Sequence, residues 1–148
     1  MGFLDRFKRD RPMSEAELDQ PSQVDGILYR DLQVVGAMAE QGSDLMAPRH
    51  TTFYLYFPSE DAAAAAARDP RFEWLQVSTP GPNAEYHAEH PEEPVAWPVI
   101  VDSHGRALIP DFLRDTTAAC RAIALEYGGE FDGWEAGVDE EWLAPGRL

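Results

Sequence analysis

Two histidines three residues apart, His87 and His90, stand among Glu89, Glu92 and Glu93, and a His-x-x-His pair flanked by carboxylates has the donor set for a divalent metal. Ligands must also be held in place. Residues 80–94 carry Glu85 with these three acids, four prolines and neither Lys nor Arg, which reads as a mobile acidic loop. No metal site is assigned there. His50 and His104, at a strand start and in a turn, read as solvated side chains. Cys120, the one cysteine, falls on the apolar face of an expected helix and reads as a small buried thiol, not a nucleophile. No serine has a G-x-S-x-G setting, and Gly81, Gly105 and Gly128-Gly129 are isolated turn or cap residues with no phosphate loop among them. With 27 acids in the chain, close carboxylate pairs arise by chance, so none stands out as a general acid and base. The residues point away from catalysis and from a bound cofactor.

The cluster with the most character is Tyr127-Gly-Gly-Glu-Phe-Asp-Gly-Trp-Glu135. Its paired glycines release a helix, alternation sends Phe131 and Trp134 to opposite faces of a last strand, and Gly133 leaves room beside the indole. Taken alone, Trp134 also fits a core aromatic at a helix-strand junction. Glu130, Asp132 and Glu135, continued by Asp139, Glu140 and Glu141, form a negative tract with no cation between them. These six acids and Trp134 are the candidate contacts for a basic partner. Trp142 and Leu143, beyond the acids, read as a packed tail or an interface anchor.

The whole composition agrees. Twelve Lys and Arg against 27 acids leave a formal charge of −15, with a sequence pI near 4.4. Nucleic-acid binding draws its affinity from cations that neutralise phosphates, so direct contact with RNA or DNA is disfavoured. A basic protein segment is the natural complement. Apolar residues at 44% are too many for a disordered acidic tail and enough for a packed core. A single cysteine excludes an internal disulfide and suits a reducing compartment. No run reaches the length of a membrane span and no signal-peptide core opens the chain, so the expectation is cytoplasmic.

The elements follow from periodicity and breakers. Residues 1–23 read as an extension and linker, with Phe3, Leu4 and Phe7 among cations, and residues 24–148 as the folded domain. Leu28, Leu32, Val35 and Ala39 predict a helix over 24–41. Residues 50–57 predict a strand with Phe53, Leu55 and Phe57 on one face and Thr52, Tyr54 and Tyr56 on the other. Ser59, Glu60, Asp61 and six alanines predict an N-capped helix stopped by Pro70. Strands are expected at 72–77, at 95–101 with Pro98 marking an edge or bulge, and at 130–138. Asp102-Ser-His-Gly105 resembles a turn. Phe112, Thr116, Ala119, Cys120, Ile123 and Tyr127 predict a helix over 110–127. After the leading helix the order is β-α-β-β-α-β, an α+β fold of ferredoxin-like type with an antiparallel sheet.

The Tyr-Gly-Gly-Glu-Phe-Asp-Gly-Trp-Glu run resembles the C-terminal signature of the RraB family, inhibitors of ribonuclease E. Arg30-Asp-Leu-Gln-Val-Val35, Gly42-Ser-Asp44 and the aromatic strand 50–57 agree in order, so the resemblance spans about residues 29–138. It implies a ferredoxin-like fold and inhibition of ribonuclease E by protein contact, without a reaction of its own. The basic extension through Arg11 and the loop 80–94 depart from the family pattern. Two other readings are an RNA-recognition-like module stacking bases on Tyr54, Tyr56 and Trp97, and a small-ligand or metal domain using His87 and His90.

Overall fold

Strand β1, Arg49–Phe57, shows how a two-residue period becomes a half-buried sheet. Phe53, Leu55 and Phe57 are sealed from solvent while Tyr54 and Tyr56 are half-exposed, as the alternation predicts. This computed structural model describes residues 12–108 and 110–137. Among them the chain is α+β, with five α-helices and one four-stranded antiparallel sheet ordered β2-β3-β1-β4. The other strands are β2 (Gln76–Ser78), β3 (Trp97–Arg106) and β4 (Glu130–Ala136). The helices are α1 (Glu15–Leu18), α2 (Tyr29–Glu40), α3 (Glu60–Ala67), α4 (Ala84–Glu89) and α5 (Pro110–Glu126). No described helix is long and apolar enough to cross a membrane.

The described residues fall into two compact units. One holds His50–Gly105 and Thr116–Ala136, and therefore nearly all of the sheet. Its core joins Phe53, Leu55 and Phe57 to Val99 and Val101 of β3, Ala63 and Ala66 of α3, and Cys120 and Ile123 of α5. Helix α3 forms because Ser59 Oγ accepts the Ala62 N–H, acids occupy its first turn, and alanine fills the rest. Cys120 is buried, and that burial pushes its thiol pKa up.

The other unit gathers the described residues up to Arg49, Arg106–Asp115 and Gly137. Ser14 closes a capping box on α1, and Arg30 of α2 bonds Glu15 at 2.6 Å and Asp19 at 3.1 Å. Leu32, Val35 and Met38 bury one side of α2. Arg49 was not singled out in the sequence, yet it is 2% exposed, and among the described residues its hydrogen bonds go to neutral oxygens. It donates to Ser43 Oγ at 2.9 Å, Gly137 O at 2.8 Å and Ala47 O at 3.3 Å, and also to Asp44 O. Burial lowers its pKa.

Several expectations need correction. Helix α2 starts at Tyr29 instead of residue 24, because Asp25 and Gly26 turn the chain back and the Ser22 N–H donates to Ile27 O at 2.7 Å. Within the expected linker, residues 15–18 are helical. The strand predicted at 72–77 shrinks to β2, since Asp69 caps a 3-10 turn over Pro70–Phe72. The loop 80–94 contains α4, started by Asn83, whose Oδ1 accepts the Tyr86 N–H at 3.0 Å. The turn at 102–105 is instead a continuation of β3. Pro98 lies on an interior strand, not an edge, and is tolerated because β2 ends opposite Ile100, before reaching it.

Phe131 and Trp134 do not face opposite ways. Leu55 registers with Phe131 and Phe53 with Trp134, so β4 sets two residues, Asp132 and Gly133, against Tyr54 alone. Gly133 takes φ 101 at this bulge. The extra residue shifts the alternation and puts both aromatics on the same side of the sheet as Phe53 and Leu55.

Candidate functional site on the outer sheet face

The side of the sheet opposite Phe53, Val99 and Val101 presents polar groups from every strand. Strand β1 contributes His50, Thr52, Tyr54 and Tyr56, and β3 contributes Asp102 and His104, with apolar Ile100 beside them. From β4 come Glu135, opposite Thr52, and Glu130, opposite Tyr56. Uncharged Gln76 and Ser78 of β2 pair with Asp102 and Ile100. None of these positions carries Lys or Arg.

The groups are engaged with one another. Tyr54 donates its hydroxyl to Glu135 Oε1. That bond, with burial second, pushes the Tyr54 pKa up to about 12. Burial raises Tyr56 as well, helped by the charge of Asp132. Thr52 Oγ1 donates to Asp102 Oδ1 at 2.8 Å, and His50 Nε2 reaches the same oxygen at 2.6 Å. His50 and His104 stack with ring centroids 4.3 Å apart. The reading of His50 as solvated is therefore corrected, while His104 is exposed as expected and stacks on it: the pleat puts residues 50, 52, 102 and 104 side by side across β1 and β3.

The position of β4 is fixed at its start. Asp69 accepts from the Arg71 backbone N–H, Nε and Nη2, each at 2.9 Å, and from the Tyr127 hydroxyl at 3.1 Å. Arg71 also bonds Glu126 Oε2 at 2.5 Å, so one guanidinium holds the last turn of α5. Gly129 then passes against β1 so closely that an added Cβ would lie 2.3 Å from Tyr56 O. Together these fix where Glu130, Asp132 and Glu135 emerge.

Of the residues proposed from sequence, Glu130, Asp132 and Glu135 are exposed on this edge strand. Trp134 is half-buried on the opposite side, in register with Phe53. Asp139, Glu140 and Glu141, with Trp142 and Leu143 and the N-terminal Phe3, Leu4 and Phe7, lie outside the described residues. His50 and Asp102 were missed as site residues, and Tyr54 and Tyr56 were singled out only as base-stacking residues of the RNA-recognition-like reading. Strand alternation already separated the two tyrosines from Phe53, but nothing local marks cross-strand pairing. Trp97 shares the parity of Val99 and Val101 and so does not join Tyr54 and Tyr56.

His87 and His90 go to different tasks within α4. His87 Nε2 accepts the Ala96 N–H at 3.4 Å, while His90 stacks on Tyr86 at 4.2 Å. Among the described residues no group of three or more His, Cys, Asp or Glu could hold a metal ion.

A family model described as regulator of ribonuclease activity B, RraB, matches residues 30–136, from α2 to the end of β4. No curated protein matches the chain.

Proposed function

The chain belongs to the RraB family of ribonuclease regulators, and from that membership we propose a non-catalytic inhibitor of ribonuclease E-type RNA degradation that binds a basic segment of the enzyme. The observation that carries the reading is the outer sheet face, where Glu130, Asp132 and Glu135 stand exposed beside half-buried Tyr54 and Tyr56. Carboxylates there attract Lys or Arg and orient the encounter, and the tyrosines add rigid contact area. We read the sheet as ferredoxin-like, supported by the order β2-β3-β1-β4, with α3 between β1 and β2 and α5 between β3 and β4. Helix α4 is then an insertion between β2 and β3.

A base-stacking face for RNA is less well supported. Trp97 lies on the other side, and the two tyrosines are flanked by Glu135 and Asp132, which repel phosphates.

Ribonuclease E cleavage of a fluorescent RNA, measured with added protein at rising salt, tests the proposal. The wild-type chain should slow cleavage, and the effect should weaken as salt screens the acids. Glu130→Gln/Asp132→Asn/Glu135→Gln should need about ten-fold more protein for equal inhibition. An unchanged cleavage rate with wild-type protein would refute inhibition, and undiminished potency of the triple variant would move docking away from β4.

A further inference from the structure

Attraction between charges leaves the histidine pair of the outer face without a part to play. The His50 and His104 rings lie 4.3 Å apart and 13° from parallel. His50 Nε2 is 2.6 Å from Asp102 Oδ1, which also accepts from Thr52. An ionised carboxylate only accepts, so Nε2 carries the ring hydrogen and Nδ1 keeps its lone pair. A further proton on His50 therefore enters at Nδ1 and turns the contact with Asp102 into an ion pair. Asp102 then offers no net charge to an approaching group. A proton on His104 faces a cationic ring across the stack, and the two repel.

The neighbours do not share this behaviour. Tyr54, held up to about 12 by its bond to Glu135, stays neutral, and Tyr56 is also raised. On β4 the facing groups are Glu135, opposite Thr52, with Asp132 and Glu130 farther along. On β2 they are the uncharged Gln76 and Ser78. Farther along β3, Arg106 sets its guanidinium over the Phe112 ring at 4.9 Å. Of the side-chain types on the face, imidazole alone ordinarily changes charge between about pH 5 and 8.

We propose that the stacked His50–His104 pair, tied to Asp102, is a proton-operated gate on docking of a cationic protein segment at the outer sheet face. Neutral rings leave the face acidic and admit the segment, whereas protonated rings cancel the charge of Asp102 and repel it. The occupant follows from charge: the described outward positions 50–56 of β1, 76 and 78 of β2, 100–104 of β3 and 130–135 of β4 hold carboxylates and no Lys or Arg, so a second copy of the same face is repelled. This inference rests on reading the face as a docking surface for a basic partner.

An oligoarginine peptide, whose charge is constant over the range used, is the probe. Wild-type affinity, measured by fluorescence anisotropy at fixed salt, should fall about ten-fold between about pH 7.5 and pH 5.5. His50→Gln/His104→Gln should lose most of that dependence, while His87→Gln/His90→Gln keeps it. His104→Gln alone, at an exposed position, should lose part of it and serves if the double variant fails to fold. Equal pH dependence in wild type and the His50/His104 variants would overturn the gate and leave docking intact. Absence of peptide binding by wild type at the higher pH would overturn the docking reading, and the gate with it.

Discussion

Gly129→Ala is expected to lower stability by about 3 kcal/mol or more. The position has no room: its Cβ would stand 2.3 Å from Tyr56 O and 2.4 Å from Phe57 Cδ1. Relief would require moving the β1 backbone or a ring that is 2% exposed in the core. Gly133→Ala provides the contrast, since nothing lies within 4 Å of its Cβ. There the cost is the left-handed backbone at φ 101, about 1–2 kcal/mol. Urea unfolding followed by tryptophan fluorescence should rank wild type, Gly133→Ala and Gly129→Ala in descending order of midpoint. A Gly129→Ala midpoint at or above that of Gly133→Ala would contradict the close passage of the chain at the α5–β4 junction.

Asp69→Ala is expected to cost about 3 kcal/mol, because four hydrogen bonds converge on a side chain only 7% exposed. The upper range for a broken buried pair does not apply. Arg71 is 37% exposed and retains Glu126, so its charge is not stranded. Arg71 is also the main reason that the Asp69 carboxyl is held well below the usual carboxylate range, with the Tyr127 hydroxyl assisting. A depressed folded value contributes stability in full above the unfolded value near 4 and loses it as pH falls toward the folded one. The stability gap between wild type and Asp69→Asn should therefore stay level from about pH 8 to pH 5 and close below about pH 4. A gap that widened on acidification would show that Asp69 is not stabilised as an anion.

Those two sites also mark where sequence reading reached its limit. Alternation in 50–57, the capped alanine run after Ser59 and the spacing from Phe112 to Ile123 were legible because each element buries one face at its own period. The motif ending in Asp-Gly-Trp carried the family. What stayed hidden depended on contacts across strands. Asp102-Ser-His-Gly105 has turn composition, yet the segment is extended and Asp102 serves as the acceptor for His50 and Thr52. The bulge at Asp132 and Gly133 is one residue long, and it reverses which face Trp134 occupies. Helix α4 is six residues between prolines, too short for a periodic signal, and depends on the Asn83 cap.

The proposed recognition of a partner through the acidic outer face is tested most directly by amide chemical-shift mapping of the labelled chain during titration with a basic segment of a ribonuclease E-type enzyme, the proposed partner. Perturbations should concentrate at Tyr54, Tyr56 and residues 130–135, and fade as salt is raised. Shifts confined to α1 and α2, or a spectrum unchanged at saturating segment, would contradict docking at this sheet.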